Sequence, residues 1–445
     1  MSDPEIRVSS DLPSRRCLGL TSATAVVAAS MIGAGVYTTS GFSIASFDSP
    51  WIVVATWVIG GIVAVCGAIG YASLARRFTE SGGEYLFLSK TLHPAAGVMA
   101  GWVSVLAGFT GPIAVAAMTL EVYAGGSRWV GTSFPAGSIA CGAILAAAVL
   151  HSISVRPSAR VQDVVVALKL LLLLGLVQIA ATVPRSDWQG WLPAPDAPAF
   201  SWASFATALL YVSFSYSGFN AAIYIAGEVR DAETNVPRAM VGGTVIVAAL
   251  YVLLNAAFVL IPPREAIAMQ PDVAVAAATE IGGDWLSTAV RVIIVVSLAT
   301  SVSALIMTGP RVYAKMADDG FLPGLFRFQN RVPLRAIWIQ AAASMAVVVW
   351  SDLKSLLEYL GFTLMLCTAL TVSMVLPDRQ ASLFGSTRLP RIAAAVYVIA
   401  SLLTATVAAF DKPLGALAAL ITIGFGIAMF AWDKRTNIDR KGGHG

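Results

Sequence analysis

About twelve long stretches with few or no charges follow one another along the chain, and each is long enough to cross a hydrocarbon core of about 30 Å as a helix. They run over residues 19–41, 50–74, 95–120, 137–153, 162–182, 202–227, 239–261, 287–309, 335–350, 355–376, 392–410 and 414–432, with 137–153 and 335–350 the shortest of the set. At bilayer depth an unpaired N–H or C=O costs several kcal/mol, so a spanning segment must close its own backbone hydrogen bonds as a helix. The expected fold class is an all-α polytopic membrane protein with about 12 transmembrane helices. Composition agrees: 57% of residues are hydrophobic and 12% charged, roughly half the charge of an ordinary soluble domain.

The connections carry the orientation. With the N-terminus placed in the cytoplasm, 22 of the 29 lysines and arginines fall on the inner side, including Arg76, Arg77, Arg230, Arg238, Arg311 and Lys315. Arg128, Arg185, Arg264, Arg291, Lys354 and Lys412 fall outside, and Lys169 lies within a span. The positive-inside bias predicts both termini in the cytoplasm. The net charge of +4 is then a mark of topology, and no nucleic-acid partner is expected. Residues 1–18 are polar and show no signal-peptide pattern, so the first span is expected to direct insertion. Cys17, Cys66, Cys141 and Cys367 are scattered singly, as are His93, His151 and His444. Neither a disulfide framework, a metal site nor a cofactor motif is indicated.

Two spans are weakened at their centres. The first contains "SMIGAGVYTTSG" over 30–41, with Gly33 and Gly35 one residue apart, although Gly costs up to about 1 kcal/mol relative to Ala inside a helix. The sixth crowds Ser213, Ser215, Ser217, Gly218 and Asn220 into its middle, where Ser and Asn compete for backbone hydrogen bonds. A five-helix unit followed by an inverted copy would start at these two spans, and interruptions at matching positions of two halves point to a transporter binding site. Close helix packing at Ala29 and Gly33 is the alternative. The inner connections 75–97 and 311–333 mix charge with spaced apolar residues, as short interfacial helices or as solvated loops.

These segments resemble the amino acid, polyamine and organocation superfamily of transporters, nearest to its L-type and bacterial amino acid permeases. The resemblance rests on "MIGAGVY" (31–37), "SGGEY" (81–85), "RVQDVVVALK" (160–169), "FSYSGFNAAIYIAGEVRDAETNVPRA" (214–239) and "RVYAKMADDGFLP" (311–323), in the family's order. It implies a LeuT-like fold: a cytoplasmic tail 1–18, a first five-helix repeat 19–182, an inverted second repeat 202–376, helices eleven and twelve over 392–432, and a tail 433–445. It also implies a substrate site at the two breaks. The substrate carboxylate would meet backbone N–H groups at Gly33, Ala34 and Gly35, where a half-helix begins and its dipole favours an anion. The amine would meet carbonyls around Met31, Phe214 and Ser217, Ser215 would line the pocket, and Phe214 would close over it from outside.

No Asp or Glu lies mid-span among the helices expected to form the pocket, which favours a neutral amino acid over a cationic one. Glu121, Glu228 and Glu358 fall near span ends and are expected at the interface. Lys169 is the one ionisable residue well inside a span, a position that is functional by default, with snorkelling to the headgroups as the alternative. The resemblance places it where a sodium ion sits in sodium-coupled relatives, bridging the first and eighth helices, with Ser297, Thr300 and Ser301 as neighbours. A lysine that releases its proton reversibly would couple transport to protons. One that stays charged would serve a proton-independent exchanger.

The function expected is a secondary active transporter of neutral L-amino acids across the plasma membrane, by proton symport or by exchange. A polyamine or amine carrier would need acidic residues facing the cavity. A non-transporting amino acid sensor would keep the fold without turnover. An enzyme is not expected, because no paired carboxylates or Ser-His arrangement falls at a plausible depth. A covalently linked accessory subunit, used by some animal members of the family, is not expected either, since the outer loop 124–136 contains no cysteine.

Overall fold

The computed structural model describes residues 18–125, 135–153, 159–184, 199–327, 333–378 and 381–442. Residues 1–17, with Arg7, Arg15 and Arg16, and residues 126–134 of the outer loop lie outside the described residues. The described chain is almost wholly helical, with isolated bridges at Leu18–Val229 and Leu383–Ser386. Among the described residues ten helices are long and apolar enough to cross a membrane, and the two shorter apolar helices, Ser138–Ser152 and Leu334–Trp350, coincide with the two shortest predicted spans.

The first span is two helices. Helix α1 (Leu20–Met31) stops at the predicted break, and α2 (Gly35–Ile44) starts beyond it. The next is a single rod, α3 (Pro50–Arg77), opened by Ser49, whose side chain accepts from Trp51 N at 3.3 Å, and by Pro50 in the first turn. Arg76 and Arg77 close it, where cations suit the helix dipole. Helix α4 (Glu84–Thr91) follows, and then α5 (Pro94–Val103) and α6 (Gly111–Tyr123), which are joined by a π-helical segment, Ser104–Thr110, that the sequence did not announce. After α7 (Ser138–Ser152) and α8 (Ala159–Thr182) comes the second interrupted span: α9 (Trp202–Tyr216), then a 3₁₀ stretch Ala221–Glu228. Helix α10 (Ala232–Leu260) packs along α3 and against α1.

Helix α11 (Arg264–Ile267) is one short turn, and α12 (Val273–Asp318) changes direction at Gly283. The C-terminal end of α12 runs to Asp318, beyond the predicted end at 309, because Val312, Tyr313, Met316 and Ala317 are buried at helical spacing while Lys315 is exposed. The bundle closes with α13 (Leu334–Trp350), α14 (Leu353–Ser373), α15 (Arg388–Asp411) and α16 (Pro413–Gly442).

Lipid tails are as apolar as Leu, so tight packing and internal hydrogen bonds must hold such a bundle together. One buried relay does so at the junction of α2, α3 and α10. Trp57 Nε1 donates to Ser40 Oγ at 2.8 Å, Ser40 donates to Asn255 Oδ1 at 2.7 Å, and Asn255 Nδ2 donates to the Tyr251 carbonyl at 3.0 Å. Helix α4 falls in the connection 75–97, where a short helix is one of the two expectations; Tyr85, Leu86, Phe87 and Leu88 are all buried against the bundle, and Lys90 near its end is exposed.

Candidate functional site

The two breaks meet. Gly218, with φ of 101°, holds the second interrupted span in a backbone conformation that side-chain-bearing residues rarely adopt, and a Cβ there would stand 2.7 Å from the Ser30 carbonyl group. The second break therefore passes directly against the end of α1.

A cavity of about 790 Å³ lies at this crossing. Met31, Gly33, Ala34 and Gly35 line it from the first break, and Phe214, Ser215 and Ser217 from the second, so every predicted substrate contact faces one space. Phe109 and Ser104 of the π segment, and Ser301 and Thr308 of α12, add further wall. Its lining on the second interrupted span begins at Ser213 and continues to Glu228, and it includes Leu18, Asp163 and Lys315. The cavity thus extends toward the face that the arginine distribution assigns to the cytoplasm. Toward the opposite face α9 is tied down: Tyr211 OH donates to Glu358 Oε1 at 2.8 Å, Thr207 Oγ1 donates to Asp411 at 2.8 Å, and Lys412 stands 3.9 Å from Glu358.

Backbone capacity differs among the predicted contacts. The Met31 carbonyl already accepts from Tyr251 OH at 2.6 Å and from Gly33 N at 2.8 Å, which uses both of its lone pairs. The Phe214 carbonyl accepts from Ser217 N at 3.0 Å and keeps one. The first turn of α2 leaves N–H groups without intrahelical partners, aimed at the break. The two glycines also separate. A Cβ on Gly33 would meet only the Met31 carbonyl at 3.9 Å, whereas one on Gly35 would stand 2.8 Å from both Cα and Cβ of Ser215. Gly33 leaves space in the cavity, and Gly35 lets α2 close on α9.

Lys169 is buried, and its ammonium donates at 3.3 Å to each of the Ile32 carbonyl, the Ser297 carbonyl and Ser301 Oγ. It joins the first break to α12 and does not snorkel. Thr300 turns to the Ser297 carbonyl at 2.7 Å instead of to the lysine, and the Ser297 hydroxyl is buried without a partner. Glu121 caps α7, accepting from Gly137 N at 2.7 Å and Ala140 N at 2.9 Å, while Glu228 lines the cavity.

Sequence reasoning missed Glu84. It belongs to "SGGEY" in a connection that reads as cytoplasmic, yet it is buried, lines the cavity and accepts from Tyr71 OH at 3.2 Å, Tyr224 OH at 2.6 Å and Asn220 Nδ2. Gly83, with φ of 96°, turns the chain beneath the Tyr224 ring to bring it there. Only the two adjacent glycines hinted at so tight a turn.

A bundle of apolar helices with two interrupted spans facing one cavity defines a multi-pass membrane transporter. The amino acid permease family profile matches residues 18–433, and the chain belongs to that family, whose members are transporters and not enzymes. Among its relatives, the mouse large neutral amino acids transporter small subunit 2 is 27% identical over 84% of this chain and 72% of its own length. The mouse Asc-type amino acid transporter 1 is 25% identical over 93% of this chain and 80% of its own. The serine/threonine exchanger SteT of Bacillus subtilis (strain 168) is 26% identical over 77% and 78%. The solved structure of Mhp1, a nucleobase-cation-symport-1 family transporter in a closed conformation with bromovinylhydantoin bound, shares the fold with a TM-score of 0.57 at 16% identity, covering 95% of each chain.

Proposed function

We propose that the protein carries neutral L-amino acids across the plasma membrane by alternating access, as a proton symporter, with both termini in the cytoplasm and a cavity open to that side. The observation that carries this reading is the meeting of the two breaks. Free N–H groups at the start of α2 face the same cavity as a carbonyl of α9 with a spare lone pair, an arrangement that complements a zwitterion end to end. The relatives named for large neutral amino acids, serine and threonine support the substrate class. Met31, Gly33, Ala34, Gly35, Phe214, Ser215 and Ser217 form the site in this reading, and Lys169 with Ser297 and Ser301 links its occupancy to α12. The five-helix halves 19–182 and 202–376 rock against one another around it, and no covalently attached subunit takes part.

Proton-independent exchange is the second reading. It is favoured by the relative named as an exchanger and by a Lys169 whose three acceptors are all neutral. Purified protein in liposomes, offered labelled amino acids with and without an imposed pH gradient, decides between them. Symport predicts uptake into empty vesicles that the gradient stimulates. Exchange predicts uptake only into vesicles preloaded with amino acid, and uptake of none of the panel would reject both.

A further inference from the structure

Glu84 is a carboxylate enclosed by neutral groups. Its three donors are two phenols and an amide, and among the described residues no Lys or Arg lies in ion-pair contact with it. The nearest lysine along the chain, Lys90, is held by Glu80 at 2.9 Å, and of the cations lining the same cavity Lys315 is held by Asp319 at 2.7 Å and Arg311 donates to the Met307 carbonyl. A buried carboxylate in a membrane bundle is costly unless a positive charge reaches it, and such residues mark ligand and ion pathways. A carboxylate offers about four acceptor positions. Glu84 Oε1 takes two of the donors and Oε2 one, so one acceptor position stays open on a side chain that lines the cavity.

The surroundings specify what fits. Phe219 packs edge-on to Tyr71 at 5.7 Å and to Tyr397 at 6.1 Å, and Phe219, Tyr224 and Tyr397 line the same cavity as Glu84. Aromatic rings beside a carboxylate suit an organic ammonium. A metal cation would require a shell of oxygen acceptors, whereas here the neighbouring amide and phenols already aim their hydrogens at the carboxylate. Asn220, which donates to Glu84, immediately precedes the 3₁₀ stretch that begins on the inner side of the second break.

We propose that Glu84, with the rings of Phe219 and Tyr397, is an ammonium subsite on the inner side of the break. The proposal deepens the transport reading, with Glu84 as a second station for the amino group that the Phe214 carbonyl holds at the break, and rests on that reading only in naming the substrate's amino group as the main source of that ammonium; a free alkylamine has the same chemistry.

The test is isothermal titration of propylammonium, and separately of a neutral L-amino acid, into purified wild type, Glu84→Gln, Glu84→Asp and Phe219→Leu. Propylammonium should bind wild type and be displaced by the amino acid, which identifies the amino group as the shared ligand; binding without displacement would assign the subsite to free amines. Glu84→Gln should weaken propylammonium at least about tenfold, the scale of one lost charge-assisted contact. Glu84→Asp should retain part of the affinity. Phe219→Leu, which removes none of the three groups that donate to Glu84, should weaken it several-fold and keeps the test decisive if the glutamine variant does not fold. A wild type that binds the amino acid but not propylammonium, or unchanged propylammonium affinity in folded Glu84→Gln, would overturn the subsite and leave the transport reading standing. Failure of the transport reading shows separately, in the liposomes.

Discussion

The ammonium of Lys169 stands 3.3 Å from the carbonyl of Ile32, the residue next after the last helical residue of α1. That carbonyl lost its helical partner when the chain broke, and the lysine supplies one. The same ammonium reaches α12 through the Ser297 carbonyl and Ser301 Oγ, so the geometry of the first break and the position of α12 are tied through one charge.

Lys169 therefore discriminates between coupling modes. For a symporter, Lys169→Ala should abolish the stimulation of uptake by an inward proton gradient, and Lys169→Arg, always charged, should not restore it. For an exchanger, arginine should rescue part of the activity and the gradient should leave wild type and variants alike. Near wild-type transport in both variants with unchanged pH dependence would remove Lys169 from the mechanism.

Gly35 and Gly33 should fail differently. A Cβ on Gly35 would be 2.8 Å from the Ser215 backbone, so Gly35→Val should destabilise the fold by about 1–3 kcal/mol, the usual cost of overpacking. Gly33→Val meets open space and should leave the thermal midpoint in detergent near wild type. A shift of equal size in both would place Gly33 in packing as well.

Phe214 is 7% exposed and lines the cavity. If it closes over the substrate, Phe214→Ala should lower the uptake rate by about tenfold while equilibrium binding changes less, since gating contacts form mainly in the occluded state. Equal losses in rate and affinity would assign the ring to binding alone.

The helices were legible because hydrophobic thickness imposes itself directly on sequence: uncharged runs 50–74 and 239–261 became α3 and α10 with little change. The breaks were legible for a related reason, since Gly33 and the Ser217–Gly218–Asn220 cluster oppose helix locally, whatever surrounds them. Glu84 was not, because its setting depends on a chain reversal at Gly83 and on Asn220 and Tyr224 beyond α9, 136 and 140 residues away. Local pattern carries no trace of such a partner. Gly35 shows the same limit in reverse. Its motif suggested a ligand contact, and only the position of Ser215 reveals that its missing side chain also lets two helices touch.

The central claim is that the substrate binds to backbone exposed at the first break, and calorimetric titration of a transported neutral L-amino acid into wild type and Gly33→Val tests it most directly. A Cβ here points into the cavity with only the Met31 carbonyl near it, at 3.9 Å. The account predicts saturable binding to wild type and none detectable to a Gly33→Val protein of unchanged thermal midpoint. Wild-type affinity in that variant would contradict it.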